Sequence, residues 1–216
     1  MGRFTSRVLI LLALGLGLPG RAAAQTITYH LHGETSNGTR LLKTTGPDAP
    51  ATFVQNPNLR AYTIVPSTVA VTTFIAQTAV PGTIPANSAV TFTLWMKKTA
   101  NFGTVYPTAT LYFQDSNGIT RTQLCSATGS TALTTTLTKF TLSCVISSSY
   151  SLTTSNPFLL YVEAAMTAGV GNHNVYPEID FEGTLSGNYD SQIVVPQPLP
   201  RASPASHPLR ARWVPQ

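Results

Sequence analysis

The chain has few charged residues, and this scarcity excludes one broad class of partner. Its 216 residues include 13 Lys and Arg against 8 Asp and Glu. Six of the basic residues and none of the acidic ones lie in 1–24 and 196–216, so residues 25–195 keep 7 basic and 8 acidic residues, a net charge of −1. A nucleic-acid-binding surface needs Lys and Arg clustered on the folded part of a chain. We therefore expect no nucleic-acid partner.

Cysteine is almost absent, and the two that are present, Cys125 and Cys144, exclude several metal and redox motifs. Two sulfur atoms alone do not form a zinc site, and no Cys-x-x-Cys spacing suggests redox chemistry. In an exported chain, the oxidising compartment favours a disulfide between them. Closing a loop of about 20 residues would stabilise the fold by ~3 kcal/mol.

Beyond the N-terminus, the sequence also lacks a long apolar segment. The first residues carry Arg3 and Arg7, then the apolar run VLILLALGLGL, then the small residues of PGRAAA. This order is typical of a secretory signal peptide and predicts cleavage after Ala24. The run is too short for a membrane span, and no later segment replaces it. We expect a secreted protein, extracellular or periplasmic, whose mature chain begins at Gln25 and has no transmembrane span.

The C-terminal segment 196–216 shows neither strand alternation nor a helical period. It is rich in Pro, Ser and Ala, a composition typical of disordered segments with polyproline-like stretches. The sequence therefore divides into a signal peptide (1–24), one folded domain (25–195) and a disordered Pro-rich tail (196–216).

The central segment 25–195 has no amphipathic helical period and contains short alternating or β-branched runs. These runs are TITYHLH, ATFVQ, VAVTTFIAQ, AVTFTLWMKK, PTATLYFQ, ITRTQLC, TKFTLSCVI, PFLLYVEAAM and VYPEIDFEGTL. Turn signals separate them: SNGT at 36–39, PGTIPANS at 81–88, DSNG at 115–118 and SGN at 186–188. About nine short strands punctuated in this way predict an all-β fold, a single antiparallel β-sandwich of jelly-roll type.

Alternation within the runs assigns side chains to an inner and an outer face. In VYPEIDFEG, Ile179 and Phe181 should point inward. The carboxylates of Glu178, Asp180 and Glu182, which alternate with them, should then project outward. The outward side chains of all the runs include aromatic and charged residues: Trp95, Lys97, Tyr112, Lys139, Tyr161, Glu163, Glu178, Asp180 and Glu182.

This outward set is the candidate ligand-binding face. Aromatic rings can cover the apolar faces of sugars, while carboxylates accept hydrogen bonds from their hydroxyls. An alternative is that Lys97 or Lys139 pairs with the carboxylates across strands, which would stabilise the sheet by up to about 1 kcal/mol without any ligand. The predicted ligand-binding residues are Trp95, Tyr112, Tyr161, Lys97, Glu178, Asp180 and Glu182.

The order of the runs resembles a known family. The stretches IPANSAVTFTLWMKK, LTTTLTKFTLSCVI, PFLLYVEA and VYPEIDFEGTLSG, with the DSNG hairpin after the first, are similar to jelly-roll carbohydrate-binding modules of the galactose-binding-like superfamily. The likeness covers about residues 65–185 and departs from the family pattern at Pro177 and Glu178. Stretches ending in GNYDS also resemble β-sandwich modules of large bacterial surface proteins. The first resemblance implies a jelly roll, glycan binding and, often, a structural calcium ion.

One short motif contains residue types that bind transition metals. His30, His32 and Glu34 alternate, so a strand would place them on one face, and His-x-His with a carboxylate can hold zinc or a similar metal. The alternative is a polar edge strand.

A second motif, DSNG at 115–118, begins like a calcium loop but lacks the later acidic ligands, so a hairpin turn explains it better. The sequence does not determine any metal ligand. The cofactor prediction is therefore none, with a structural calcium ion at Glu178, Asp180 or Glu182 as the alternative.

Two outward carboxylates, Glu178 and Asp180, also raise the hypothesis of a glycosidase, because their Cα atoms would lie roughly 6–7 Å apart on a strand. No G-x-S-x-G elbow or suggestive His–Asp pair is present. We therefore expect no enzyme, but a secreted non-catalytic module that binds a glycan or cell-surface polymer. The alternative is a structural subunit of an extracellular coat, fibre or adhesin that assembles through an edge strand, and a hydrolase is the third hypothesis.

Overall fold

The computed structural model describes residues 25–46, 52–55, 67–168, 175–182 and 190–200. The predicted signal peptide, the tail beyond residue 200 and the turn at 186–188 lie outside these residues. These residues form strands and no helix, so none of the described segments is a helix that could span a membrane. The strands are β1 (Thr26–Ser36), β2 (Thr39–Lys43), β3 (Thr52–Gln55), β4 (Ser67–Ala76), β5 (Gly82–Ile84), β6 (Ser88–Lys98), β7 (Thr104–Gln114), β8 (Arg121–Thr128), β9 (Thr138–Ile146), β10 (Tyr150–Leu152), β11 (Phe158–Ala168), β12 (Pro177–Phe181) and β13 (Gln192–Pro196).

Each of the nine predicted runs contains a strand, and the predicted all-β antiparallel sandwich is confirmed. Four strands were not predicted: β2, β5, β10 and β13. Two of these, β5 and β10, contain three residues each and are too short for alternation to show. In β2 the adjacent residues Leu41 and Leu42 are both buried, so the strand does not follow a period of two.

One sheet folds back on itself to enclose the core. Its hydrogen-bonded path runs β9-β6-β13-β1-β2-β4-β11-β7-β8. β12 pairs with the part of β6 that follows the segment paired with β13, and β3 pairs with the other edge of β12. All these ladders are antiparallel except β2 with β4, which is parallel. The predicted disulfide between Cys125 of β8 and Cys144 of β9 is present, with Cα atoms 5.9 Å apart. It joins the two ends of the path and so closes the sandwich at one corner.

Aromatic contacts across the core join the two halves of this folded sheet. We call these halves the two layers: one contains β1, β6, β9, β12 and β13, and the other contains β4, β7, β8 and β11. Phe74 of β4 meets Phe181 of β12 edge to face, with ring centroids 5.3 Å apart. Tyr29 of β1 and Phe158 of β11 make a similar contact at 6.1 Å. Such contacts add roughly 0.5–1.5 kcal/mol each beyond the burial of apolar area.

The predicted alternation is confirmed for the apolar side chains. Along β6 the four inward residues are fully buried, and so are Ile179 and Phe181 of β12. Lys98 follows the same parity and ends β6 on the core side. Its Nζ donates hydrogen bonds to the carbonyls of Phe102, at 3.2 Å, and Gly103, at 2.7 Å. Burial lowers the pKa of Lys98.

The segment after residue 195 differs from the predicted tail. Pro196 ends β13 opposite Thr26, and the Gln197 amide donates to the Gln25 carbonyl at 2.8 Å. Leu199 exchanges two backbone hydrogen bonds of 2.8 Å with Thr83 of β5. Residues 196–200 therefore belong to the folded domain, because their backbone groups form hydrogen bonds with β1, Gln25 and β5. The Pro-rich composition of this segment gives no sign of these hydrogen bonds.

Candidate functional site

A first group of predicted residues lies on the outer face of β6 and β12, and we call it the tryptophan–carboxylate patch: Trp95, Lys97, Glu178 and Asp180. The antiparallel register places Trp95 opposite Asp180 and Lys97 opposite Glu178. Lys139 of β9 lies opposite Trp95 on the other side of β6 and is exposed. The strand pairing therefore brings together four of the seven predicted ligand-binding residues.

Within this patch, Glu178 is buried rather than presented to solvent. It is 3% exposed, and its Oε1 lies 2.7 Å from the Nζ of Lys97. This hydrogen bond is the main cause that raises the pKa of Lys97, although burial opposes it. Glu178 therefore lies on the predicted outer face but is covered, because β12 lies between β3 and β6 and Lys97 lies beside the carboxylate. The predicted alternative, a cross-strand ion pair, is the one that the structure contains.

Asp180 has a different environment. Its Oδ1 is buried and has no hydrogen-bond partner within the described residues. Burial, followed by the charge of Glu178, raises the pKa of Asp180 to about 6, while Lys97 lowers it. Ser191 fixes the backbone here: its Oγ donates to the Asp180 carbonyl at 2.6 Å and accepts from the Trp95 amide at 2.9 Å.

Glu182 lies apart from this patch, and its predicted outward position is wrong. β12 ends at Phe181, and Glu182 has a φ of 61°, so it no longer follows the strand alternation. It is 3% exposed, and its Oε1 lies 3.0 Å from Nδ1 of the fully buried His32. Glu182 therefore joins β1 to the end of β12.

A second group, which we call the tyrosine–arginine patch, consists of Tyr112 on β7, Tyr161 on β11 and Arg121 on β8. The tyrosine rings meet edge to face with centroids 5.1 Å apart, and both are half-buried. The exposed Arg121 places its guanidinium carbon 5.2 Å from the Tyr112 ring centroid and 4.4 Å from that of Tyr161. Its Nη1 also donates a hydrogen bond to the Tyr161 hydroxyl. Desolvation raises the pKa of Tyr112.

Hydroxyl groups surround this second patch. Thr110 pairs with Ser126 across the β7–β8 ladder, with 2.8 Å between their hydroxyl oxygens, and Thr108 pairs with Thr128 at 3.0 Å. Thr110 also donates to the Oε2 of Glu163 at 3.1 Å. The outer face of β7, β8 and β11 thus combines aromatic rings, hydroxyls, a carboxylate and an arginine.

The predicted binding residues are therefore split between two surfaces. β6 pairs with β9, β12 and β13 but not with β7 or β11, so Trp95 and the two tyrosines do not form one platform. Arg121 was not among the predicted residues. The turn at Asn117-Gly118 could have indicated it, because a hairpin there sets Arg121 opposite Gln114, on the face of Tyr112.

The His30, His32 and Glu34 motif does not form a shared metal site. The Nδ1 of His30 lies 2.7 Å from Oδ2 of Asp190, His32 lies beside Glu182, and Glu34 pairs with Lys43. No group of three or more His, Cys, Asp or Glu suited to a metal occurs in the described ranges. Each member of the motif is instead held by its own partner.

The DSNG segment forms the predicted hairpin turn. The Asn117 side-chain oxygen accepts hydrogen bonds from the amides of Ile119, at 2.9 Å, and Thr120, at 3.1 Å. Asp115 accepts a hydrogen bond from the Thr120 hydroxyl, and Gly118 has a φ of 68°. These side chains serve the loop itself.

Comparisons with known proteins support the fold. No model of a known family and no curated protein matches the chain. Two crystal structures of a CocE/NonD family hydrolase from Staphylococcus aureus are similar over 80% and 84% of the chain, with TM-scores of 0.53 and 0.50 and identities of 13% and 11%. This chain spans little more than a third of those hydrolase chains, 36% and 37%.

A third structure is a carbohydrate-binding module from the β-sandwich superfamily. It aligns over 61% of this chain and 56% of its own, at 11% identity and a TM-score of 0.26. That score is too low to support an argument about function. At such identities the two hydrolase structures show the sandwich fold alone.

Proposed function

We propose that this chain is a secreted, non-catalytic β-sandwich module that binds a glycan or another cell-surface polymer through the tyrosine–arginine patch. The observation that carries the proposal is the contact of Tyr112, Tyr161 and the exposed Arg121 on one sheet face. Export is supported by the Cys125–Cys144 disulfide, because such bonds persist in oxidising compartments.

The chemistry of this face suits a sugar chain. Each tyrosine offers part of a ring for the apolar face of a sugar and a hydroxyl for hydrogen bonding. The hydroxyls of Ser126 and Thr128, both exposed, lie on the neighbouring strand and can exchange hydrogen bonds with sugar hydroxyls. Because these groups sit on strands rather than on loops, little order has to be gained on binding.

The tryptophan–carboxylate patch is less suited to a ligand. Glu178 is almost fully buried and already paired with Lys97, so a sugar could reach it only by displacing that lysine. The same burial supports a non-catalytic role, since a carboxylate acting on a glycosidic bond must touch its substrate. Trp95 and Asp180, which the sequence predicted as binding residues, are half-buried on the opposite layer and lie outside the proposed site.

Glycan-array binding with the purified mature domain, followed by calorimetry on the best ligand, tests the proposal. We expect Tyr112→Ala and Tyr161→Ala each to weaken binding by about tenfold, a loss of ~1.4 kcal/mol. The matched control is Trp95→Ala, which removes a half-buried aromatic residue from the outer face of the other layer and should leave affinity unchanged.

Two results would count against the proposal in different ways. A loss of binding in Trp95→Ala with both tyrosine variants intact would move the site to the tryptophan–carboxylate patch. Absence of binding to any glycan, with stable higher oligomers in light scattering, would instead favour the structural subunit. In the described ladders β3 pairs with β12 alone, and its other edge is one place for such assembly.

A further inference from the structure

Arg121 uses only part of its hydrogen-bonding capacity. Its Nη1 donates to the Tyr161 hydroxyl, while Nε and Nη2 have no acceptor within the described residues. A guanidinium carries five N–H donors, and the pair on its Nε and Nη2 edge matches the two oxygens of a carboxylate. We call this unused Nε and Nη2 edge of the exposed side chain the fork.

The charge of Arg121 is also uncompensated. No carboxylate in the described part of the chain lies within ion-pair distance of its guanidinium. Two acids lie near Arg121 in the fold. Asp115, in the turn beside Gln114, accepts a hydrogen bond from the Thr120 hydroxyl. Glu163 lies two residues beyond Tyr161 along β11 and opposite Thr108, whereas Arg121 lies opposite Gln114, so Tyr161 stands between Glu163 and Arg121.

We propose that the tyrosine–arginine patch recognises a polysaccharide whose repeating sugar carries a carboxylate, with the free edge of Arg121 binding that group. This inference rests on the proposed function and adds the class of glycan. The tyrosine rings under the guanidinium hold it in place before the ligand arrives, so less side-chain entropy is lost on binding. One sugar would lie against the ring surface that the guanidinium leaves exposed, while its carboxylate lies at the fork.

A pair of ligands that differ only in this charge provides the test. Polygalacturonate carries a carboxylate on each sugar, and its fully methyl-esterified form is the neutral counterpart. We expect wild type to bind polygalacturonate at least tenfold more tightly than the ester at about 50 mM salt. Raising the salt to about 0.5 M should reduce that preference, because screening weakens an exposed charge pair.

Three variants separate the fork from simple charge. Arg121→Gln should abolish the preference for the acid form, so that polygalacturonate binds no more tightly than the ester does. Arg121→Lys keeps the charge but not the fork, and we expect it to lose most of the preference. Lys139→Gln is the matched control, because it removes one exposed cation from the other layer and should change nothing. Circular dichroism verifies that each variant is folded.

The outcomes distinguish this inference from the proposed function. Equal binding of both polymers, unaffected by Arg121→Gln, would overturn the carboxylate assignment and leave glycan binding intact. The carboxylate assignment would also be overturned if Arg121→Lys kept the full preference for polygalacturonate over the ester. Binding of a phosphate-bearing polymer in place of polygalacturonate would overturn it as well. Binding of neither polymer, nor of any glycan on the array, would remove both.

Discussion

Lys97 and Glu178 form an ion pair across the β6–β12 ladder, and the two partners differ in exposure. The distance from Nζ to Oε1 is 2.7 Å, the Glu178 side chain is 4% exposed and that of Lys97 is 33% exposed. The pair therefore joins a buried carboxylate to a partly exposed ammonium group.

Removing Lys97 should destabilise the domain. Lys97→Met removes the ammonium group that lies 2.7 Å from the buried Glu178 carboxylate. Breaking a fully buried pair costs 3–5 kcal/mol, and solvent screening of the exposed lysine reduces this to about 2 kcal/mol. The free energy of unfolding in urea measures the loss.

Lys139→Met is the control for this change, because Lys139 is exposed on the other neighbour of β6. It should alter the unfolding free energy by less than about 0.5 kcal/mol. Equal stabilities for the two variants would show that the Lys97–Glu178 pair contributes nothing.

Asp180 should make the domain more stable as the pH falls below 6. Burial raises its pKa from 3.8 in the unfolded chain to about 6 in the fold, so between these values the native state holds a proton that the unfolded state has lost. Stability then decreases as the pH rises through this window and stays low above it. The shift corresponds to at most ~3 kcal/mol, lowered by the partial exposure of the group.

Asp180→Asn removes this dependence. The variant should be more stable than wild type at pH 8 by about 1–2 kcal/mol and similar to it at pH 4. Unfolding curves at several pH values measure the difference, and Glu34→Gln, an exposed carboxylate paired with Lys43, serves as control. A constant difference between wild type and Asp180→Asn across this range would show that Asp180 does not titrate as described.

The sequence predicts the sandwich and its inner faces well because alternation records burial directly. Ile179 and Phe181 are inward for this reason. The burial of Glu178 and the inward position of Glu182 could not be predicted, since they depend on which strands flank β12 and on where it ends. Tyr112 and Trp95 are both outward, as predicted, but alternation contains no information on the layer to which each strand belongs. That information comes from ladders between residues distant in sequence, such as Gln192 with Thr93.

Loss of the disulfide should loosen the corner between β8 and β9. Replacing Cys125 and Cys144 by Ala should lower the free energy of unfolding by about 3 kcal/mol, the value expected for a loop of this length. Amides of β9 should exchange with solvent faster, while those of β1 and β13 should be unaffected. Wild type under reducing conditions is the control, and unchanged stability in both samples would contradict the prediction.

Gly82 should be essential for holding residues 197–200 against β5. A Cβ at this position would lie 2.5 Å from the Leu199 carbonyl oxygen and 2.9 Å from the Pro198 Cβ, and its φ of +142° strains any other residue. Gly82→Ala should therefore break the paired hydrogen bonds between Thr83 and Leu199 and cost about 2–3 kcal/mol. Hydrogen exchange at the Thr83 and Leu199 amides measures the release. Gly46→Ala is the matched control, because a Cβ at Gly46 meets nothing within 4 Å. Slow exchange at both amides in Gly82→Ala would mean that the backbone adjusts and the contact survives.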